Sequence, residues 1–287
     1  MKKSIYAIIT IALTFILFIC SCSIKTDNLE DSVIYTTVYP INYLAKYIYK
    51  DYAEINSIYP INCDLNSYKL TNKKKDQFAK ADLFIYNGLT DEKEIAKDLI
   101  NRNGDLLIID VSKGLSIEND PTELWLSPNN YLMLAKNIKN NLSEYLTSKY
   151  IIESLEKNFA DFQEKISIID ASLHTVGKTA AEKNKNTIIV SNNTFKYLEK
   201  YDFRVISLQD EKNLKEAKLN AIKNGFSSGK YTFILTTDFD KDNEIVNDLV
   251  NNHKAKTIMV DTLTYSLTDD YFDIMTEYIE NIKKIVS

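Results

Sequence analysis

Residues 61–71, INCDLNSYKLT, place a thiol, a carboxylate and an amide (Cys63, Asp64, Asn66) within four positions. Such a loop is either a ligand site or a turn with polar decoration. Four polar residues stand at or near the ends of strand-like runs: Asn66, Glu123, Asn192 and Asp261. By type alone they are weak candidates, because Asn and Asp commonly satisfy backbone groups in turns. Catalytic chemistry is sparse. There are two histidines, His174 and His253, and neither follows a strand-like run. No glycine-rich phosphate loop, nucleophile elbow or paired-cysteine metal motif is present. No residue set recommends an enzyme, and none is expected.

The elements that must hold these residues follow an α/β rhythm. Apolar, β-rich runs at 33–40, 53–60, 82–88 and 105–111 alternate with helical spacing in the first half. Runs at 186–193, 203–208, 231–238 and 255–261 repeat the logic in the second, with a helix over 268–284 closing the chain and another expected to stop at Gly225. Strands alternating with helices imply parallel sheets covered on both faces. In such sheets ligands sit beyond the carboxyl ends of the strands. Ser127-Pro128 reads as a helix start, with Ser at the N-cap and Pro in the first turn. Ile152, Leu155, Phe159, Phe162, Ile166, Ile169 and Leu173 then form an unbroken 3-4 stripe. A coiled-coil seam would show the same stripe. Its position between α/β segments favours a rigid connecting helix.

The bulk numbers agree with two lobes. The chain has 287 residues, 45% apolar and 26% charged, with a formal charge of −5. That is globular, too long for one ordinary core, and unsuited to nucleic acid. The N-terminus, MKKSIYAIITIALTFILFICSCS, has lysines, an apolar run and small residues, as a secretory signal peptide does. Ile19 to Cys22 fit a bacterial lipobox, so cleavage before Cys22 and acylation of its sulfur are expected, with membrane anchoring by lipid rather than by a spanning helix. Loss of Cys20 and acylation of Cys22 exclude a disulfide framework. Cys63 then reads as a buried, inert thiol.

The chain resembles the substrate-binding lipoproteins of bacterial zinc and manganese ABC importers. SYKLTNKKKDQFAKADLFIYNGLTDE is similar to that family's S-Y-x-P-T/S…ADLFIYNG segment, LWLSPNNYLMLAKNIKNNL to its W-L-S-P segment, and SNNTFKYLEKYDFRVISL to its S-H-x-A-F segment. The resemblance implies two α/β lobes with mainly parallel sheets, one long linking helix and a ligand cleft between the lobes. Its boundaries would be 1–21 signal peptide, 22–31 lipidated tether, 32–147 first lobe, 148–180 linking helix and 181–287 second lobe. It implies capture of a divalent metal at the outer face of the cytoplasmic membrane, and delivery by a monomer to an ABC permease and its ATPase. The family's metal histidines are replaced. DLNSY puts Asn66 at the first, PTELW puts Glu123 at the histidine of D-P-H-x-W, Asn192 takes the third position, and Asp261 keeps the fourth. Two carboxylates and two amide oxygens suit Mn²⁺, Mg²⁺ or Ca²⁺ better than Zn²⁺. Asp64 could complete such a shell, and Cys63 could soften it. The alternative is a site that has lost its metal, on a surface-adhesion lipoprotein of the same fold.

Overall fold

The computed structural model describes residues 29–60, 63, 65, 68–209, 216–237, 240, 243–264 and 270–287. The expected signal peptide, the expected lipidation site Cys22, and Asp64 and Asn66 lie outside the described residues. Two four-stranded parallel sheets form the frame. The first contains β1 (Ser32–Thr36), β2 (Ala53–Ser57), β3 (Leu83–Tyr86) and β4 (Leu107–Asp110), in the order β2-β1-β3-β4. The second contains β5 (Thr187–Val190), β6 (Arg204–Ser207), β7 (Phe233–Thr237) and β8 (Lys256–Val260), in the order β6-β5-β7-β8. Central strands are apolar on both faces: Leu83, Phe84 and Ile85 are all buried, as are Ile188, Ile189 and Val190. Continuous burial is what a sheet sandwiched between helices requires.

Helices α1 (Tyr39–Tyr49), α2 (Asn72–Phe78), α3 (Glu92–Arg102), α4 (Glu123–Leu126) and α5 (Pro128–Tyr145) belong to the first half. Helix α6 (Lys149–Glu182) links the halves, and α7 (Glu216–Ser227), α8 (Glu244–His253) and α9 (Tyr271–Val286) complete the second. A 3₁₀ run, Asn193–Tyr201, follows β5. The two-lobed α/β architecture with a long helix is the one expected. At 34 residues, α6 is about 50 Å long.

Three local expectations differ from the structure. The first strand ends at Thr36, not Pro40; Pro40 lies in the first turn of α1, where its fixed φ suits a helix and its missing N–H costs nothing. Gly225 does not stop a helix. It lies inside α7, where a Cβ would come within 2.5 Å of the Tyr231 ring. The buried face of α6 begins with Ile151 and Asn158, while Ile152 and Phe159 are partly buried. Asn158 is drawn inward because its amide donates to the Ile48 carbonyl (2.9 Å) in the last turn of α1, a group with no partner within its own helix.

One continuous core runs through both lobes along α6. Leu155 and Phe162 belong to it beside Ile41 and Tyr131, and Leu173 and Val176 beside Tyr278 and Ile282. Smaller cores cover the outer sheet faces around Phe84 and Leu99 in one lobe and Ile189 and Leu249 in the other. Polar bonds cross between the lobes as well. The Trp125 indole donates to the Thr262 carbonyl (2.7 Å), and the Tyr271 hydroxyl donates to the Trp125 carbonyl (2.8 Å). Among the described residues no helix is long and apolar enough to cross a membrane.

Candidate functional site

The carboxyl ends of both sheets open on one cleft of about 730 Å³. Asn87 enters it directly after β3, Asn192 just after β5, Gln209 after β6 and Asp240 after β7. The segment 120–122 and Trp125, from the chain leading into α5, line it too. Thr122 and Thr194 bring the lobes together there, their hydroxyls 3.4 Å apart.

Asn192 caps the 3₁₀ run, its side-chain oxygen accepting from the Thr194 N–H (3.0 Å). Its amide donates to Asp240 Oδ2 (3.0 Å) and Thr237 Oγ1 (3.1 Å). The same Asp240 oxygen accepts from the Thr237 N–H (2.7 Å), the Thr237 hydroxyl (2.8 Å) and the Ser191 hydroxyl. This carboxylate is therefore pinned by charge-assisted bonds to the ends of β5 and β7.

Glu123 lies elsewhere. It is 3% exposed at the start of α4, and its carboxylate accepts from the Glu118 N–H and, at 3.4 Å, from the Asn119 amide. It does not line the cleft, whereas Asp120 and Thr122 of the same turn do. The segment has one residue more than the D-P-H-x-W pattern. Counting back from Trp125 lands on Glu123, and counting forward from Asp120-Pro121 lands on Thr122. Asp261, after β8, is exposed and accepts from the Leu263 N–H (2.7 Å); it too is not among the residues lining the cleft. Cys63 is half-buried and lines a small recess beside the cleft, with Tyr59, Leu65 and Thr264 shared between the two. Of the four expected ligands, the structure brings Asn192 to the cleft; Asn66 lies outside the described residues. Among the described residues, no three His, Cys, Asp or Glu side chains converge as a metal shell would.

Several cleft residues escaped the sequence reading, Asn87, Asp91, Asp120 and Gln209 among them, and two carry most of its chemistry. Asp240 is one. The other is Glu92, in the first turn of α3, where acidic residues are ordinary and nothing in the sequence signals burial. Its carboxylate accepts from the Asn87 N–H (2.8 Å) and is 8% exposed. Burial pushes its pKa up to about 7; nearby Asp110 adds to the rise, and the Thr37 hydroxyl and Asn87 N–H oppose it. Asp110 in turn accepts from the Gly88 and Ser112 N–H groups, both at 2.9 Å, which fixes the turn between β3 and α3.

Two parallel-sheet lobes, a long linking helix and a polar cleft at the strand ends define a two-lobed solute-binding fold. Residues 34–285 match the family model "ZnuA: Zinc-uptake complex component A periplasmic", and the chain belongs to that family. It is 28% identical over 273 residues to a metal ABC transporter substrate-binding lipoprotein of Lactococcus lactis, covering 88% of this chain and 83% of that one. It is 23% identical over 294 residues to the high-affinity zinc uptake system protein ZnuA of Bacillus subtilis, covering 92% and 89%. Among solved structures, the metal-dependent lipoprotein YcdH of Bacillus subtilis superposes with a TM-score of 0.71 at 22% identity, covering 89% of this chain and 99% of that one. The Zn(II)-bound ZnuA-like domain of Streptococcus pneumoniae AdcA gives 0.70 at 20% identity, with the same coverage. These two likenesses carry the fold.

Proposed function

We propose that this chain is the extracytoplasmic solute-binding lipoprotein of a metal-ion ABC importer, capturing a divalent cation and handing it to a permease and its ATPase. The observation that carries the reading is the cleft: carboxylates and amides gathered at the strand ends of both lobes, in a family of metal-uptake components. The oxygen donors of Asn192, Asp240, Asp120 and Glu92 suit Mn²⁺ or a harder ion better than Zn²⁺. Asn66, Glu123 and Asp261, with Cys63 and Asp64, are the further ligands that the family resemblance implies. Cys22 anchors the chain by lipid. The protein performs no chemistry. Helix α6 and the Trp125–Thr262 and Tyr271–Trp125 bonds restrict the lobes to small relative shifts.

Calorimetry of the metal-free full-length protein with Mn²⁺, Zn²⁺ and Ca²⁺ is the test. Saturable binding with Mn²⁺ at least as tight as Zn²⁺ is expected; no heat with any ion overturns the reading. One observation favours a second reading, a surface-adhesion lipoprotein: Glu123 is committed to the 118–119 segment and Asp261 to a backbone N–H. Unchanged cellular metal uptake after gene deletion would support it.

A further inference from the structure

The cleft is far larger than one ion needs. At about 730 Å³ it sits within the range of roughly 300–1,000 Å³ typical of small-molecule sites. A water's share of liquid volume is only about 30 Å³. Two kinds of surface line it. Among the described lining residues the ionisable groups that face the cleft with carboxyls are Asp91, Glu92, Asp120 and Asp240, and none is Lys, Arg or His. Three of these carboxylates are oriented by protein donors on one oxygen: Glu92 by the Asn87 N–H, Asp120 by the Thr122 N–H (2.9 Å), and Asp240 by Asn192 and Thr237. The second surface is apolar. Tyr59 and Tyr68 meet edge to face with ring centres 5.8 Å apart, and Ile95 and Leu65 join them on the lining. Lys74 reaches the Tyr68 hydroxyl (2.7 Å) but does not line the cleft.

A hydrated ion uses the carboxylates and has no use for the aromatic faces. A ligand with positive charge, N–H donors and an organic body uses both. Resting on the metal-capture reading above, we propose that the cleft receives its divalent metal as a positively charged complex with a small amine-bearing organic chelator. The body of the chelator lies on Tyr59 and Tyr68, and its N–H groups donate to the cleft carboxylates.

Calorimetry of the metal-free full-length protein with three titrants tests this: Zn²⁺ alone, a 1:1 mixture of Zn²⁺ and L-histidine, and L-histidine alone. The mixture is expected to bind at least tenfold more tightly than Zn²⁺ alone. Tyr68→Ala is expected to abolish that gain, and Tyr68→Phe, which keeps the ring, to retain it. The wild-type comparison decides the matter even where the variant fails to fold. Equal or weaker binding of Zn²⁺ in the presence of histidine overturns the proposal and leaves metal capture standing. Histidine binding as tightly without the metal overturns it too. No heat from any titrant overturns the proposal, and the Mn²⁺ and Ca²⁺ titrations then decide metal capture on their own.

Discussion

The two lobes share one sheet plan and build their cleft walls in opposite ways. Both sheets run in the same order, with the first strand of each lobe flanked by the second and third. In the first lobe one of the cleft carboxyls, Glu92, is sunk into a wall that desolvates it, opposed only by the Asn87 N–H and the Thr37 hydroxyl. In the second lobe the cleft carboxylate, Asp240, is half-buried and receives four donors on a single oxygen. The same functional group is made costly to ionise by burial on one side and is fixed in place by four donors on the other. Strand order determines where each carboxyl stands; the neighbours determine what it does.

One continuous core joins the lobes, and Trp125 is where that union can be broken. Its side chain is 3% exposed, its indole binds the opposite lobe at Thr262, and Tyr271 binds its carbonyl. Trp125→Ala removes a large buried side chain and leaves the Thr262 carbonyl without that donor. A loss of about 3–5 kcal/mol is expected. Urea denaturation should show the single wild-type transition splitting into two, one for each lobe. A shift of less than about 1 kcal/mol with one transition retained would show that α6 alone couples the lobes.

The contrast between the walls gives two substitutions of the same type with opposite signs. Glu92 has a folded pKa near 7 against an ordinary 4.5. Below pH 4.5 the group is protonated in both states and gives no pH dependence. As pH rises from there to about 7 the unfolded chain gives up a proton that the folded chain keeps, so stability falls. Above that the loss is complete, on the order of 3 kcal/mol. Glu92→Gln should remove this slope: equal to wild type at pH 4.5 and more stable by up to about 3 kcal/mol at pH 8. Asp240→Asn should go the other way, losing about 2 kcal/mol at pH 8, because it weakens several charge-assisted bonds at once. Thermal melts of the two variants across pH 4.5–8 check both. Equal signs at pH 8 would dissolve the distinction between the walls.

Much of the frame was legible because it rests on periodicity. Runs such as LFIY and TIIV are continuous apolar segments of strand length, and the 3-4 stripe of α6 needs no tertiary information to be seen. Asn192 was legible for a similar reason, standing directly after a strand and before an aromatic-rich turn. What was not legible depends on distant partners. Asn158 is buried only because α1 ends beside it. Glu92 is buried only because β1 and β4 bring Thr37 and Asp110 to it, far away in sequence. Glu123 shows a third kind of difficulty. The turn has one residue more than the D-P-H-x-W pattern, so counting from either end reaches a different position; Asp120 and Thr122 face the cleft while Glu123 binds the 118–119 segment.

The smallest expected effect separates the lobes by how the linking helix meets each of them. In the first lobe β1 leads into an α-helix; in the second β5 leads into a 3₁₀ run, whose last residue is Tyr201. Gly177 of α6 lets that run approach, since a Cβ there would stand 1.7 Å from the Tyr201 carbonyl oxygen. Glycine inside a helix costs about 1 kcal/mol relative to alanine. Gly177→Ala regains that amount and forces the 3₁₀ run away from α6, an overpacking cost of about 1–3 kcal/mol. A net loss of up to about 2 kcal/mol is expected. Hydrogen exchange should place it in the second lobe, with faster exchange around residues 193–201 and none of the change in β1–β4. A net gain in stability would mean that the contact yields easily and that the second lobe is held on α6 by its apolar face alone.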